Sequence, residues 1–170
     1  DKSRTAAAGK FQGGLADHSE KTTALHTAAH LMLAGLREVL GDHVHQRGSN
    51  ITAERARFDF SHGEKMAEDQ KRAVENYVND AIRADAEMVV IEIPKQQAKD
   101  EGVEGSFWEK YTDIVKVIMF RDKTGRVWSK ELCGGPHRSR TSNLQAFGMF
   151  SISKEESISA GVRRIKATLS

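Results

Sequence analysis

The sequence predicts an α+β fold: an antiparallel β-sheet packed with two long helices. Three observations carry this expectation. Apolar residues recur at helical spacing in two separate stretches, β-branched and aromatic runs crowd the second half, and the predicted order is helix, strand, helix, strand, then a strand-rich half.

Residues 1–19 read as loop, because GGLADHS (Gly13 to Ser19) carries two glycines and an Asp turn former. From Thr22 or Thr23 to Leu40 the apolar positions are Leu25, Ala28, Ala29, Met32, Leu33, Leu36 and Leu40, a 3.6-residue stripe. Either threonine suits the helix start, and Gly41 stands where a C-terminal glycine belongs. NITAERARFDF alternates at Ala56, Phe58 and Phe60 and reads as one strand. Helical spacing returns over 64–84 at Met66, Val74, Val78 and Ile82. MVVIEI (88–93) is a strand closed by Pro94, and 94–102 reads as a short helix. IVKVIMF (114–120) and VWSKEL (127–132) flank DKTG as a hairpin. FGMFSI (147–152) and VRRIKATL (162–169) complete the strands.

The length of 170 residues suits one domain with a short appendage, enough to bury a core without staples. The single cysteine excludes an internal disulfide and fits a reducing, cytoplasmic compartment. No apolar run approaches membrane length. The polar start, DKSRTAAAGK, lacks a methionine and reads as the cut end of a longer chain. With 26 basic and 24 acidic residues, the composition argues against strong nonspecific nucleic-acid binding. A local basic set remains in the last third: Arg138, Arg140, Arg163, Arg164 and Lys166.

Two motifs carry chemistry. HTAAH places His26 and His30 four residues apart, on one face of a helix and one turn from each other. A helix offers two nitrogens to one metal in this way, although the spacing also suits two polar residues on a helix edge. Thr27 stands where a zincin helix carries its glutamate base. CGGPH adds the thiol of Cys133 and the imidazole of His137, with Gly134 and Gly135 allowing a tight turn. Together His26, His30, Cys133 and His137 make a donor set suited to zinc, tying the N-terminal helix to the C-terminal strands. A buried inert cysteine beside an unrelated surface histidine is the alternative.

HTAAHLMLAGLREVLGDHVHQRGSNITAERARFDFSH, then KELCGGPHRSRT and KEESISAGVRRIKA, together resemble the editing domain of bacterial alanyl-tRNA synthetases. Free-standing alanyl-tRNA editing proteins and threonyl-tRNA synthetases share that fold. The resemblance runs from GKFQGGLAD to the end of the chain. It implies an aminoacyl-tRNA deacylase domain over 22–170, with 1–21 as a linker and remnant of a preceding subdomain. It implies hydrolysis of tRNA(Ala) mischarged with serine or glycine, with Zn2+ held by His26, His30, Cys133 and His137. It further implies that Gln46 lines the pocket and that Arg163 faces the tRNA end or supports the site. The implied partners are the acceptor end of tRNA(Ala) and the aminoacylation half of the synthetase. Two departures stand out. Ala29 replaces the second threonine of HTATH, and Pro136 gives the CGGPH of threonyl enzymes where alanyl enzymes often have CGGTH.

The implied chemistry is water attack on an ester. Backbone N–H groups near Gly134 and Gly135 suit an oxyanion. Gln46 can position water but cannot act as a general base at pH 7. Thr27, Gln46 or Ser49 suits a hydrogen bond to the serine hydroxyl, which alanine lacks. For Thr27 and Ser49, ordinary helix-surface and turn chemistry is the simpler account. Arg138, Arg140 and Arg163 suit phosphate contacts, and Arg163 and Arg164, adjacent on a strand, point to opposite faces. His18, His43, His45 and His62 read as surface residues, with His45 nearest the pocket. The rival readings are deacylation of Ser-tRNA(Thr) and a zinc-stapled tRNA-binding module without turnover.

Overall fold

The structure, a computed structural model, describes residues 19–105, 108–132 and 137–170. Helix α1 (Glu20–Leu40) begins at Ser19, whose Oγ accepts from the N–H of Thr22 at 3.2 Å. The cap is therefore Ser19 rather than Thr22 or Thr23, which lie inside the first turn and are buried. Gly41 ends the helix at φ 127°, a conformation a side chain would strain. Every residue from Thr22 to Leu33 is buried, so α1 is the central rod of the fold. It packs against α2 (Glu68–Arg83) and contacts strands of both sheets. Helix α2 starts later than position 64. The Ala67 N–H donates to Gln70 Oε1 at 2.9 Å, while Met66 stays outside the helix and buries itself in the core.

Two antiparallel sheets form where one was expected. The first contains β1 (Gln46–Ile51) and β2 (Ala56–Ser61) with the last two strands, β6 (Phe150–Ser159) and β7 (Val162–Leu169), in the order β1-β2-β7-β6. The second is a meander of β3 (Glu87–Pro94), β4 (Ile114–Arg121) and β5 (Val127–Glu131), with the short helix α3 (Lys95–Asp100) after β3. The stretch expected as a single strand is a hairpin. Thr52 Oγ1 accepts the N–H groups of Glu54 at 3.2 Å and Arg55 at 3.3 Å, and this side-chain turn reverses the chain. The DKTG hairpin forms as expected, with Gly125 at φ 94° donating to Asp122 O at 3.0 Å. FGMFSI is split instead. A 3-10 helix takes Thr141–Phe147, Gly148 turns at φ 106°, and β6 runs on through polar residues to Ser159.

The main core joins Leu25, Met32 and Leu36 of α1 with Val74 and Val78 of α2, and with Phe58, Phe60, Phe120, Trp128 and Ile165 from the two sheets. Each large side chain buried there contributes about 1.5–3 kcal/mol. Register sets the faces of the first sheet. Phe58 pairs with Ile165 and Phe60 with Arg163 on the inner face, while Asp59 pairs with Arg164 and Arg57 with Lys166 on the outer face. A smaller core of Ala98, Val103, Val115 and Val117 sits where α3 meets the second sheet. Among the described residues no helix is long and apolar enough to cross a membrane.

Candidate metal centre

Because α1 is buried on every side from Thr22 to Leu33, its polar residues there need partners. His26 and His30 find each other, with Nε2 atoms 3.1 Å apart. The third imidazole arrives from the segment that follows β5. That segment is pinned beyond His137. Ser139 O accepts from Met88 N at 2.9 Å, and Thr141 N donates to Ala86 O at 2.8 Å. The fully buried Thr141 Oγ1 donates to Ala81 O and accepts from Ala86 N, each at 2.7 Å.

His137 thereby lies parallel to His26, with ring centroids 4.3 Å apart and planes 11° from parallel. His30 stands edge-on to both, at 4.7 and 4.6 Å. One nitrogen from each of the three rings lies within 4.8 Å of the others. The Phe120 ring crosses His137 at 5.9 Å.

These residues fit a metal ion. Two nitrogens bound at about 2.0–2.1 Å to one tetrahedral ion sit about 3.3 Å apart, close to the His26–His30 spacing of 3.1 Å. The second nitrogens are also engaged. The buried carboxylate of Glu131 meets His30 Nδ1 and accepts from Ser129 Oγ at 3.4 Å. His137 Nδ1 lies 3.2 Å from Thr27 Oγ1. A carboxylate or hydroxyl behind a metal-binding imidazole orients it. Sequence reasoning missed Glu131, since a glutamate on a strand ordinarily faces solvent. Its burial comes from the packing of β5 against α1, which the sequence pattern of VWSKEL does not reveal. Cys133, Gly134 and Gly135, with Pro136, lie outside the described residues.

Thr27 is placed at this cluster, and the Arg138 N–H donates to Thr27 Oγ1 at 3.0 Å. Gln46 and Ser49 form a second group. Gln46 Nε2 donates to Ser49 Oγ at 3.3 Å, and the Gln46 N–H donates to Glu104 Oε2 at 3.3 Å. Glu104 also receives His45 Nδ1 at 3.1 Å and Arg37 at 3.5 Å, and its carbonyl accepts from Leu132 N at 3.0 Å. Through Glu104, Gln46 is connected to the residue next to Cys133. His43 and His62 stack on each other, 2.8 Å apart at the nearest nitrogens, and burial pushes the His62 pKa down.

The arginines divide. Arg140 forms a two-pronged pair with Asp85 at 2.9 and 3.1 Å, which holds the Asp85 carboxyl below its ordinary range. Arg163 grips Glu155 at 2.6 and 2.9 Å, and Arg164 grips Asp59 at 2.8 and 3.1 Å. The two point to opposite faces, as their adjacency on β7 requires. A cleft of about 200 Å³, lined by Leu33, Arg37, Tyr77, Trp128 and Ser129, reaches the histidine cluster through Ser129 and Glu131.

Residues 115–166 match the model of the threonyl and alanyl tRNA synthetase second additional domain. Across 94% of its length the chain is 56% identical to the alanine–tRNA ligase of Treponema denticola, covering 25% of that protein. The ligase of Treponema pallidum is 51% identical over 98% of the chain, and that of Borreliella burgdorferi 48% over 94%; the chain covers 26% and 25% of these two. The chain thus spans about a quarter of the length of these relatives. The chain corresponds to the part of alanine–tRNA ligases that carries the threonyl and alanyl tRNA synthetase second additional domain.

Proposed function

We propose that this chain is the editing portion of an alanyl-tRNA synthetase, hydrolysing the ester that joins serine or glycine to the 3′ end of tRNA(Ala). The convergence of His26, His30 and His137 carries this reading, in a chain whose relatives are alanine–tRNA ligases. The donor set is best suited to Zn2+, with Cys133 as its fourth member.

The reaction adds water to the ester carbonyl carbon. The bond to the ribose oxygen breaks, that oxygen takes one proton of the water to become a hydroxyl, and the amino acid leaves as a carboxylate, the second proton passing to solvent. When bound, zinc supplies positive charge that orients the substrate amino group and polarises the carbonyl. The backbone N–H groups of Gly134 and Gly135 stabilise the oxyanion. Gln46 and Ser49, already hydrogen-bonded to each other, position water and recognise the serine hydroxyl. That recognition leaves polar groups unpaired when alanine binds. Arg138 and Arg140 contact the tRNA backbone, and Arg163 supports the sheet through Glu155. The partners are the acceptor end of tRNA(Ala) and the aminoacylation half of the synthetase, in the cytoplasm.

Pro136 favours a second reading, deacylation of Ser-tRNA(Thr). Hydrolysis of Ser-tRNA(Ala), Gly-tRNA(Ala), Ala-tRNA(Ala) and Ser-tRNA(Thr) by this chain and by Cys133→Ala separates the two. The main reading expects selective loss of serine and glycine from tRNA(Ala), abolished by the substitution. Loss from tRNA(Thr) alone moves the assignment to the threonyl branch.

A further inference from the structure

We propose that Thr27 and Glu131 are positioning residues that hold His137 and His30 with the proton on Nδ1, so that both rings present an unprotonated Nε2 to the same point as His26. The inference concerns the metal-holding part of the reading above and does not depend on which ester is cleaved.

The hydrogen bonds of Thr27 leave one consistent assignment. A hydroxyl has one proton to donate and two lone pairs to accept with. Thr27 Oγ1 has three partners. Thr23 O, at 3.3 Å, is a carbonyl and can only accept. The Arg138 N–H, at 3.0 Å, can only donate. The single Thr27 proton therefore goes to Thr23 O, four residues back along α1. One lone pair takes the Arg138 N–H, and the other faces His137 Nδ1 at 3.2 Å. His137 Nδ1 must then be the donor, which leaves Nε2 without a proton. The helix backbone, through one threonine, thus selects the tautomer of a histidine that enters from the second sheet.

Glu131 imposes the same choice on His30. An ionised carboxylate only accepts, so the neutral His30 ring must carry its proton on Nδ1, the atom that meets Glu131. The His30 Nε2 is then unprotonated, and it is the atom that faces His26 Nε2 at 3.1 Å. Both locks sit outside the ligand set, on Thr23–Thr27 of α1 and Ser129–Glu131 of β5. Thr27 is thus a positioning residue, and no contact with substrate is required of it.

The test uses the 170-residue chain and its Thr27→Val, Thr27→Ser and Glu131→Gln variants. Long-range proton–nitrogen NMR on the metal-free chain at pH 8 reads the tautomer of each histidine directly. The proposal expects the Nδ1–H form for His30 and His137 in the parent and in Thr27→Ser. Thr27→Val shifts His137 towards Nε2–H and weakens Zn2+ binding, read by chelator competition, by about 10–100-fold. Glu131→Gln weakens it in the same range, while Thr27→Ser binds as the parent does. An Nε2–H form of His137 in the metal-free parent overturns the proposal, and this readout stands even if Thr27→Val does not fold. Unchanged tautomer and affinity in a folded Thr27→Val overturn it equally. Absence of deacylation by the zinc-loaded parent, with both readouts as expected, would count against the editing reading alone.

Discussion

The ring of His26, in the first helix, lies parallel to that of His137, beyond the last strand of the second sheet, with centroids 4.3 Å apart. A helix buried from Thr22 to Leu33 and a segment pinned by Thr141 are thereby joined at three imidazoles. Metal binding at such a junction is also folding energy. Zn2+ is expected to raise the thermal midpoint of the chain, and a chelator to lower it. His137→Ala should abolish the difference. Melting curves with and without zinc check this, and an equal shift in His137→Ala would place the metal elsewhere.

Arg163 and Glu155 make a pair whose carboxylate side chain is fully buried, 0% exposed, against 13% for the arginine. Arg163→Ala leaves that carboxylate without its principal donor, costing about 1–3 kcal/mol. Arg140→Ala breaks an exposed pair and should leave stability close to that of the parent. Urea denaturation of both variants decides whether Arg163 is chiefly structural. A stable Arg163→Ala with weakened tRNA binding would reverse that assignment.

Gly148 turns at φ 106°, and a Cβ there would lie 2.3 Å from the backbone carbon of Ser170. Ser170 cannot easily retreat, because it exchanges two backbone hydrogen bonds with Met149 at 3.0 Å each. Gly148→Ala should destabilise the fold by about 1–3 kcal/mol. Gly125→Ala, strained by φ alone with open space around it, should cost less. Parallel denaturation curves test the ranking.

Asp122 closes the β4–β5 turn. Hydrogen bonds from Thr124, then from the Trp128 indole and two backbone N–H groups, hold its pKa at about 2, against an ordinary 3.8. A depressed carboxylate stabilises the fold fully above its unfolded value and loses that contribution as pH falls towards the folded one. The expected window is therefore between 3.8 and about 2. Asp122→Asn should show a smaller loss of stability from pH 5 to pH 2 than the parent. An identical acid limb would contradict it.

Much of this was legible in the sequence, and particular residues show why the rest was not. The stripe from Leu25 to Leu40 announced α1, and its length brought His26 and His30 to one face. QRGSNI hid β1, because Gly48 and polar neighbours break alternation, although it pairs with β2 through a local hairpin. SKEESIS hid the end of β6, an edge strand whose residues are mostly exposed or half-buried. The division into two sheets rests on which strands pair, which periodicity does not encode. The three clustered imidazoles were readable as two spaced motifs. Glu131 was not, because its burial follows from the docking of β5 against α1.

The most direct measurement compares the rate at which serine is released from Ser-tRNA(Ala) and alanine from Ala-tRNA(Ala), by the zinc-loaded parent and by zinc-loaded His26→Ala. The account predicts rapid release of serine only, lost in the variant. Equal release of serine and alanine, or serine release untouched by His26→Ala, would contradict it.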